Sequence, residues 1–228
     1  MPELPDATAL LEDFRSGTLS PLEALDAALD RIARRDPAVN AFRLVDADRA
    51  REAAARSQAR WTRREPAGLL DGVPVAIKDV LLTAGWPTLR GSLAVEPDQD
   101  WDVDAPSVAA LARNGAVAVG KTTTPEFGWK GVTHGPLDGV TRNPWDVTRT
   151  AGGSSGGSSA ALSAGMVPLA SERMAAGRSA SRAGSAACPG SSPPTAGSRR
   201  GRPARSARSP TSGRWRAACA TSRCCSTS

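Results

Sequence analysis

The chain has 228 residues, 40% of them hydrophobic and 23% charged, which is ordinary globular usage at a length able to bury a core. No apolar run reaches the roughly 18 residues of a transmembrane helix, and the acidic start Met1-Pro2-Glu3-Leu4-Pro5-Asp6 lacks the basic-then-apolar order of a secretory signal, so a cytoplasmic location is expected. The net charge of +6 hides two opposite parts: residues 1–170 carry 18 basic against 22 acidic side chains, whereas residues 171–228 carry 11 arginines against one acid, Glu172.

Along residues 1–170, helical and strand patterns alternate. Ser20-Pro21-Leu22-Glu23 predicts a helix start, with Ser20 as cap, Pro21 in the first turn and Glu23 completing a capping box. Leu22, Leu25, Ala28, Leu29 and Ile32 then share one face. Ala41–Val45 reads as a short strand, and Asp46 or Asp48 can cap a second helix running to about Arg60. Val73–Lys78 reads as a buried strand. Ala105–Asn114 looks helical and stops at Gly115, and Ala116–Val119 is a strand again. A helix from Ser158 to Ala164 follows a glycine-rich loop, and Met166–Ala170 begins another strand. This alternation predicts an α/β domain, a sheet covered by helices.

Residues 171–228 read differently. Ser (13), Ala (12) and Arg (11) dominate, all four cysteines fall here, and Leu, Ile, Val and Phe are absent. Such a segment cannot bury enough apolar area to offset the entropy of ordering it, so composition alone predicts disorder. The alternative on composition is an arginine arm that binds nucleic acid. Cys188, Cys219, Cys224 and Cys225 form no C-x-x-C spacing, which argues against metal and disulfide frameworks alike. A single histidine, His134, leaves little from which to build a histidine-based triad or metal site.

Three motifs could carry chemistry. In Ala151-Gly152-Gly153-Ser154-Ser155-Gly156-Gly157-Ser158-Ser159, glycines permit close backbone approach, and the serines offer hydroxyls at the mouth of a helix. The plain alternative is a flexible linker, which would not need the apolar helix and strand that follow. In Gly72-Val73-Pro74-Val75-Ala76-Ile77-Lys78-Asp79, a lysine closes an apolar strand. Burial would disfavour its charged form and make it a base near neutral pH; the plain alternative is the first solvated residue after a strand. Gly115–Thr122 matches the phosphate-loop pattern G-x-x-x-x-G-K-[ST], but its strand lies between the glycines instead of before them, and Thr123-Thr124-Pro125 follows the motif where a helix should.

Together the lysine strand and the serine-glycine loop resemble the amidase signature family of Ser-Ser-Lys hydrolases. Gly120–Phe127, Thr141-Arg142-Asn143-Pro144-Trp145 and Gly152–Gly157 extend the resemblance through residues 1–170, roughly the first third of the family domain. It implies a mixed sheet flanked by helices. It also implies hydrolysis of a carboxamide through an acyl-enzyme, with a small-molecule amide as substrate, no cofactor, no metal and no membrane or nucleic-acid partner. By resemblance, Lys78 is the general base and Ser154, held by an unusual cis peptide, is the bridging serine; Ser155, Gly152 and Gly153 support the loop. A tRNA-dependent amidotransferase subunit would share this fold and triad, although Thr124–Trp129 looks more like the free-standing amidases.

The family's nucleophile sits in a second glycine-rich segment of the form G-T-D-G-G-G-S-I-R-I-P, which this sequence lacks. Reading each codon one base earlier supplies it. Arg173 written CGG followed by Met174, necessarily ATG, gives GAT, aspartate, and Met174 into Ala175 gives GGC, glycine. Residues 175–182 can then spell the remainder of D-G-G-G-S-I-R-I-P. In the same frame, Ser192–Gly197 can restore K-P-T-[YH]-G-R, Thr211–Ala217 can restore H-V-G-P-M-A-R, and Cys224–Thr227 can restore L-L-L-D. Residues 1–170 thus read as the N-terminal part of an amidase domain and residues 171–228 as an out-of-frame tail. The nucleophile's codon straddles Gly177 and Arg178, so no serine of this chain is the nucleophile, and little or no amidase activity is expected of it. Sequencing the DNA across codons 165–180 tests this: restoring one base near the Ala170–Ser171 junction should open a frame encoding the second glycine cluster. Prompt stop codons in that frame would refute it.

Overall fold

The computed structural model describes residues 5–171; the tail from Glu172 onward, with the expectations placed on it, lies outside the described residues. The chain opens with helix α1 (Ala7–Ser16), for which the sequence reading had no element. Asp6 caps it by accepting from the Thr8 and Ala9 N–H groups at 2.9 Å, and Gly17 ends it in the left-handed region. Helix α2 (Pro21–Val39) carries the expected reciprocal box: Ser20 N–H donates to Glu23 Oε2 (2.8 Å), and Glu23 N–H to Ser20 Oγ (3.2 Å). It runs past Ile32 to Asn40, which takes the left-handed cap. The carboxylate of Asp36 then receives the N–H groups of Ala41 and Phe42, turning the chain into strand β1 (Phe42–Val45). Of the two candidate caps for helix α3 (Ala47–Thr62), Asp46 serves, accepting from Arg49 N–H at 3.0 Å.

The central strand β2 (Pro74–Lys78) is buried at all five positions. Helix α4 (Pro106–Arg113) leads into strand β3 (Val117–Thr122), followed by a 3-10 turn at Glu126–Gly128. Four short strands make two small hairpins: β4 (His134–Gly135) with β5 (Gly139–Val140), and β6 (Arg142–Asn143) with β7 (Asp146–Thr150). Helix α5 (Gly156–Ser163) and strand β8 (Leu169–Ser171) complete the described chain.

The main sheet has the order β1-β3-β2-β8. β1 runs antiparallel to β3, while β2 runs parallel to both β3 and β8, the mixed sheet that the resemblance implies. One core cluster packs α2, α3 and α5 against the sheet through Leu25, Ile32, Ala54, Val119, Ala161 and Met166; a second gathers Val75, Ile77, Leu81, Trp86 and Val108. Each fully buried branched side chain contributes about 1.5–3 kcal/mol.

Strand β8 begins at Leu169 and not Met166, and two further boundaries depart from expectation. β3 continues beyond Val119 because it is paired on both flanks: Lys121 lies opposite Leu44 of β1 and Ile77 of β2. Residues Val117–Thr122 of the stretch that mimics a phosphate loop are therefore interior strand. α5 begins at Gly156 and not Ser158, and its first two residues pack too close to Thr133 and Thr123 for any side chain. A Cβ at Gly157 would stand 2.5 Å from Thr123 N and 2.6 Å from Thr123 O.

The entry to β2 is fixed by one buried ion pair. Asp71, fully buried, accepts from Arg60 Nε (2.9 Å) and Nη2 (2.5 Å) and from the Ala67 N–H (2.7 Å). Burial pushes its carboxyl up, but the Arg60 and Ala67 hydrogen bonds outweigh that and hold it below the ordinary value of 3.8. Asp71→Ala should cost about 2 kcal/mol by stripping partly exposed Arg60 and the Ala67 N–H of their acceptor, measured by urea unfolding at neutral pH. Because the carboxyl is depressed in the fold, its contribution is complete above 3.8 and is lost as pH falls through the lowered value; the gap between variant and native chain should close in acid. A constant gap would contradict this account.

Candidate active site

Lys78, the last residue of β2, is 1% exposed, so it is not the solvated strand end that the sequence left open. Its Nζ donates to Ser154 Oγ at 3.0 Å and to Ser155 Oγ at 2.8 Å. Both serines are half-buried and lie in the turn that leads into α5. The glycine-rich stretch is therefore a fixed loop against the sheet and not a linker.

That loop is shaped residue by residue. Gly152 takes φ +82, a left-handed value that suits glycine. The Gly153–Ser154 peptide is cis, the geometry the resemblance implies for Ser154. Gly153 packs so tightly that a Cβ would lie 2.9 Å from the Val132 backbone. Ser154's carbonyl accepts from Thr124 Oγ1 at 3.2 Å, and the Gly156 N–H donates to Thr133 Oγ1 at 3.1 Å. Thr122 Oγ1 meets Ser158 Oγ at 2.8 Å, pinning α5 to the strand residue that pairs with Lys78. Thr123 Oγ1 meets Thr141 Oγ1 at 2.6 Å, and Thr141 in turn donates to the Asn40 carbonyl.

The structure thus brings together Lys78, Ser154, Ser155, Gly152 and Gly153, five residues that sequence reading placed in one site. It adds a scaffold of threonines that the reading passed over. The available signal was Thr122-Thr123-Thr124, three β-branched polar residues in succession at the end of an apolar strand, a composition that makes sense only if their hydroxyls find partners in the interior. Phe127 and Trp129 stand on the next segment, 55% and 75% exposed, with Gly128 between them facing Ser154. Among the described residues there is no group of three His, Cys, Asp or Glu side chains able to hold a metal ion, and no helix is long and apolar enough to cross a membrane. His134 is exposed on β4.

Chemically, the arrangement offers an amine held against two hydroxyls, out of bulk water. A neutral lysine there can take a proton from one hydroxyl, and that hydroxyl can take one from a third group.

Comparison with known proteins gives the following matches. Residues 23–171 match the family model described as Amidase. The chain is 48% identical over 150 residues to a glutamyl-tRNA(Gln) amidotransferase subunit of Acidothermus cellulolyticus, covering 65% of this chain and 29% of that protein. It is 39% identical over 157 residues to indoleacetamide hydrolase of Bradyrhizobium diazoefficiens, covering 69% and 30%. A bacterial aryl acylamidase of the amidase signature enzymes superposes with a TM-score of 0.70 at 34% identity, covering 74% of this chain and 35% of that structure. The chain spans about a third of the length of these relatives.

The close seat of α5 generates a prediction. Gly157→Ala should cost about 2–3 kcal/mol, despite alanine's better helix propensity, because the new methyl meets Thr123 backbone. Urea denaturation measures it. A midpoint at or above the native one would show that α5 is free to move.

Proposed function

The chain belongs to the amidase family, and from that membership we propose that it derives from a hydrolase that cleaves the C–N bond of a carboxamide, with Lys78 as general base and Ser154 as bridging serine. The observation that carries this reading is the 1% exposed Lys78 amine set 3.0 Å from Ser154 Oγ and 2.8 Å from Ser155 Oγ. In the reaction, Lys78 as neutral amine takes the Ser154 proton while Ser154 takes the proton of the nucleophilic serine. The nucleophile's oxygen bonds to the amide carbon, the C–N bond breaks, and the proton returns through Ser154 to the departing ammonia or amine. Water then attacks the acyl ester by the same relay, releasing the acid and regenerating the serine. Backbone N–H groups of the second glycine cluster would stabilise the oxyanion. Ser155 shares the Lys78 amine and fixes its direction.

The nucleophile and oxyanion donors of this scheme belong to the segment encoded one base out of frame after Ala170. The family match ends at Ser171, one residue past the break in composition, which supports that reading. The chain as translated holds the base and the bridge without the group they activate.

A second reading, as one component of an amidotransferase, is favoured by the 48% identity to the Acidothermus cellulolyticus protein. It uses the same relay and differs in partners, so co-purification with further subunits would separate the two.

The test is to restore one base at the junction, express the protein and assay ammonia release from simple primary amides. The restored protein should hydrolyse them, the 228-residue chain should not, and Lys78→Ala in the restored protein should lower kcat/KM by about 10³-fold. Activity that survives Lys78→Ala would overturn the assignment of the base.

A further inference from the structure

Lys121 is a second lysine of the sheet interior, fully buried, and the proposed reaction makes no use of it. In the β2–β3 register Ile77 pairs with Lys121 and Lys78 with Thr122, so the two lysines leave the sheet on opposite faces. Lys78 reaches Ser154 and Ser155; Lys121 reaches the loop that follows Lys78. Its Nζ donates to the Leu81 carbonyl at 2.8 Å and to Thr88 Oγ1 at 2.6 Å. The Lys78 carbonyl accepts the N–H groups of Val80 (2.8 Å) and Leu81 (3.0 Å). One turn therefore starts at Lys78 and closes on Leu81, and Lys121 grips its far end.

The same amine also faces Asp79, the immediate chain neighbour of Lys78. Asp79 is fully buried; its carboxylate lies 3.5 Å from Lys121 Nζ and 3.7 Å from Arg43 Nε, and Arg43 lies 3.5 Å from Asp138. Four charges alternate in sign, Lys121 to Asp79 to Arg43 to Asp138, and of these Asp79 and Arg43 are the charged groups that act on Lys121 among the described residues. A buried carboxylate left without partners beside Lys78 would favour its ammonium form and spoil it as a base; two flanking cations largely cancel that field.

We propose that Lys121 is a positioning residue for Lys78, tethering the turn from which Lys78 projects and screening it from the carboxylate of Asp79. This rests on Lys78 being the base. Burial, opposed by Asp79, draws Lys121 itself down to about 8, burial pushes Asp79 up against the pull of Lys121 and Arg43, and burial raises Asp138 to about 6, so Lys121 loses its charge as pH rises through about 8 and Asp138 loses its charge as pH falls through about 6.

The sequence makes the test clean, since Lys78, Lys121 and Lys130 are its only lysines. In the full chain labelled with ¹³Cε-lysine, the Lys78 resonance is titrated in native protein, in Lys121→Gln, which keeps a donor for Leu81 and Thr88 but no charge, and in the double variant with Asp79→Asn. The Lys78 midpoint should move to higher pH in K121Q and return towards the native value in D79N/K121Q. A K121Q chain with lowered stability but an unmoved Lys78 midpoint would make Lys121 a structural lysine only and overturn the proposal. If K121Q does not fold alone, the frame-restored protein decides: the acid limb of its kcat/KM profile should move to higher pH in K121Q, and an unmoved limb overturns the proposal. Failure of the base assignment is separately visible, as activity that persists without Lys78.

Discussion

Lys78 and the serine pair at 154 and 155 are 76 and 77 residues apart in the chain, yet one buried amine holds both hydroxyls within 3.0 Å. A buried lysine is tolerated only when its N–H groups find partners, so the fold must deliver the loop to the strand end with little freedom. The sheet meets half of that demand. β2 is held between β3 and β8 and is buried at every position, Lys78 included. The glycine-rich turn meets the other half by setting Gly153 against the backbone of Val132 and Gly157 of α5 against that of Thr123, just past β3.

The threonines convert that proximity into a fixed geometry. Thr122, Thr123, Thr124 and Thr133 each spend a hydroxyl on the loop, on α5 or on the segment beneath them. Because all four are buried, a misplaced loop would leave several polar groups unpaired at once. On the opposite face, Lys121 donates to Leu81 and Thr88 in the loop after Lys78 and pairs with the Asp79 carboxylate. The strand end at Lys78 is thus held from two faces by different chemistry, hydroxyl pairs on one and a buried lysine with its carboxylate on the other.

Much of this was legible in the residues. Ser20 and Glu23 announced α2, Asp46 or Asp48 announced α3, and the alternation of apolar strands with helices announced the layered sheet. The site was legible as two motifs, a lysine at a strand end and serines between glycines, which the family resemblance joined. What the residues did not announce depends on long-range packing. Helix α1 has an N-cap but few strongly apolar positions. β3 runs through Gly120-Lys121-Thr122 only because strands flank it on both sides, and local pattern alone argued for an end at Val119. Lys121 looked like part of a failed phosphate loop; its burial follows from the loop at 79–88 folding over it. Gly156 and Gly157 read as loop residues because nothing local shows how close Thr123 and Thr133 come.

The central claim is that this lysine and bridging serine serve a nucleophile encoded one base out of register. A serine-directed phosphonyl fluoride, reacted with the frame-restored protein and mapped by peptide mass spectrometry, tests it most directly. The account predicts one modified serine, the one whose codon straddles Gly177 and Arg178, and loss of labelling in Lys78→Ala. A label on Ser154 or Ser155, or labelling indifferent to Lys78, would contradict it.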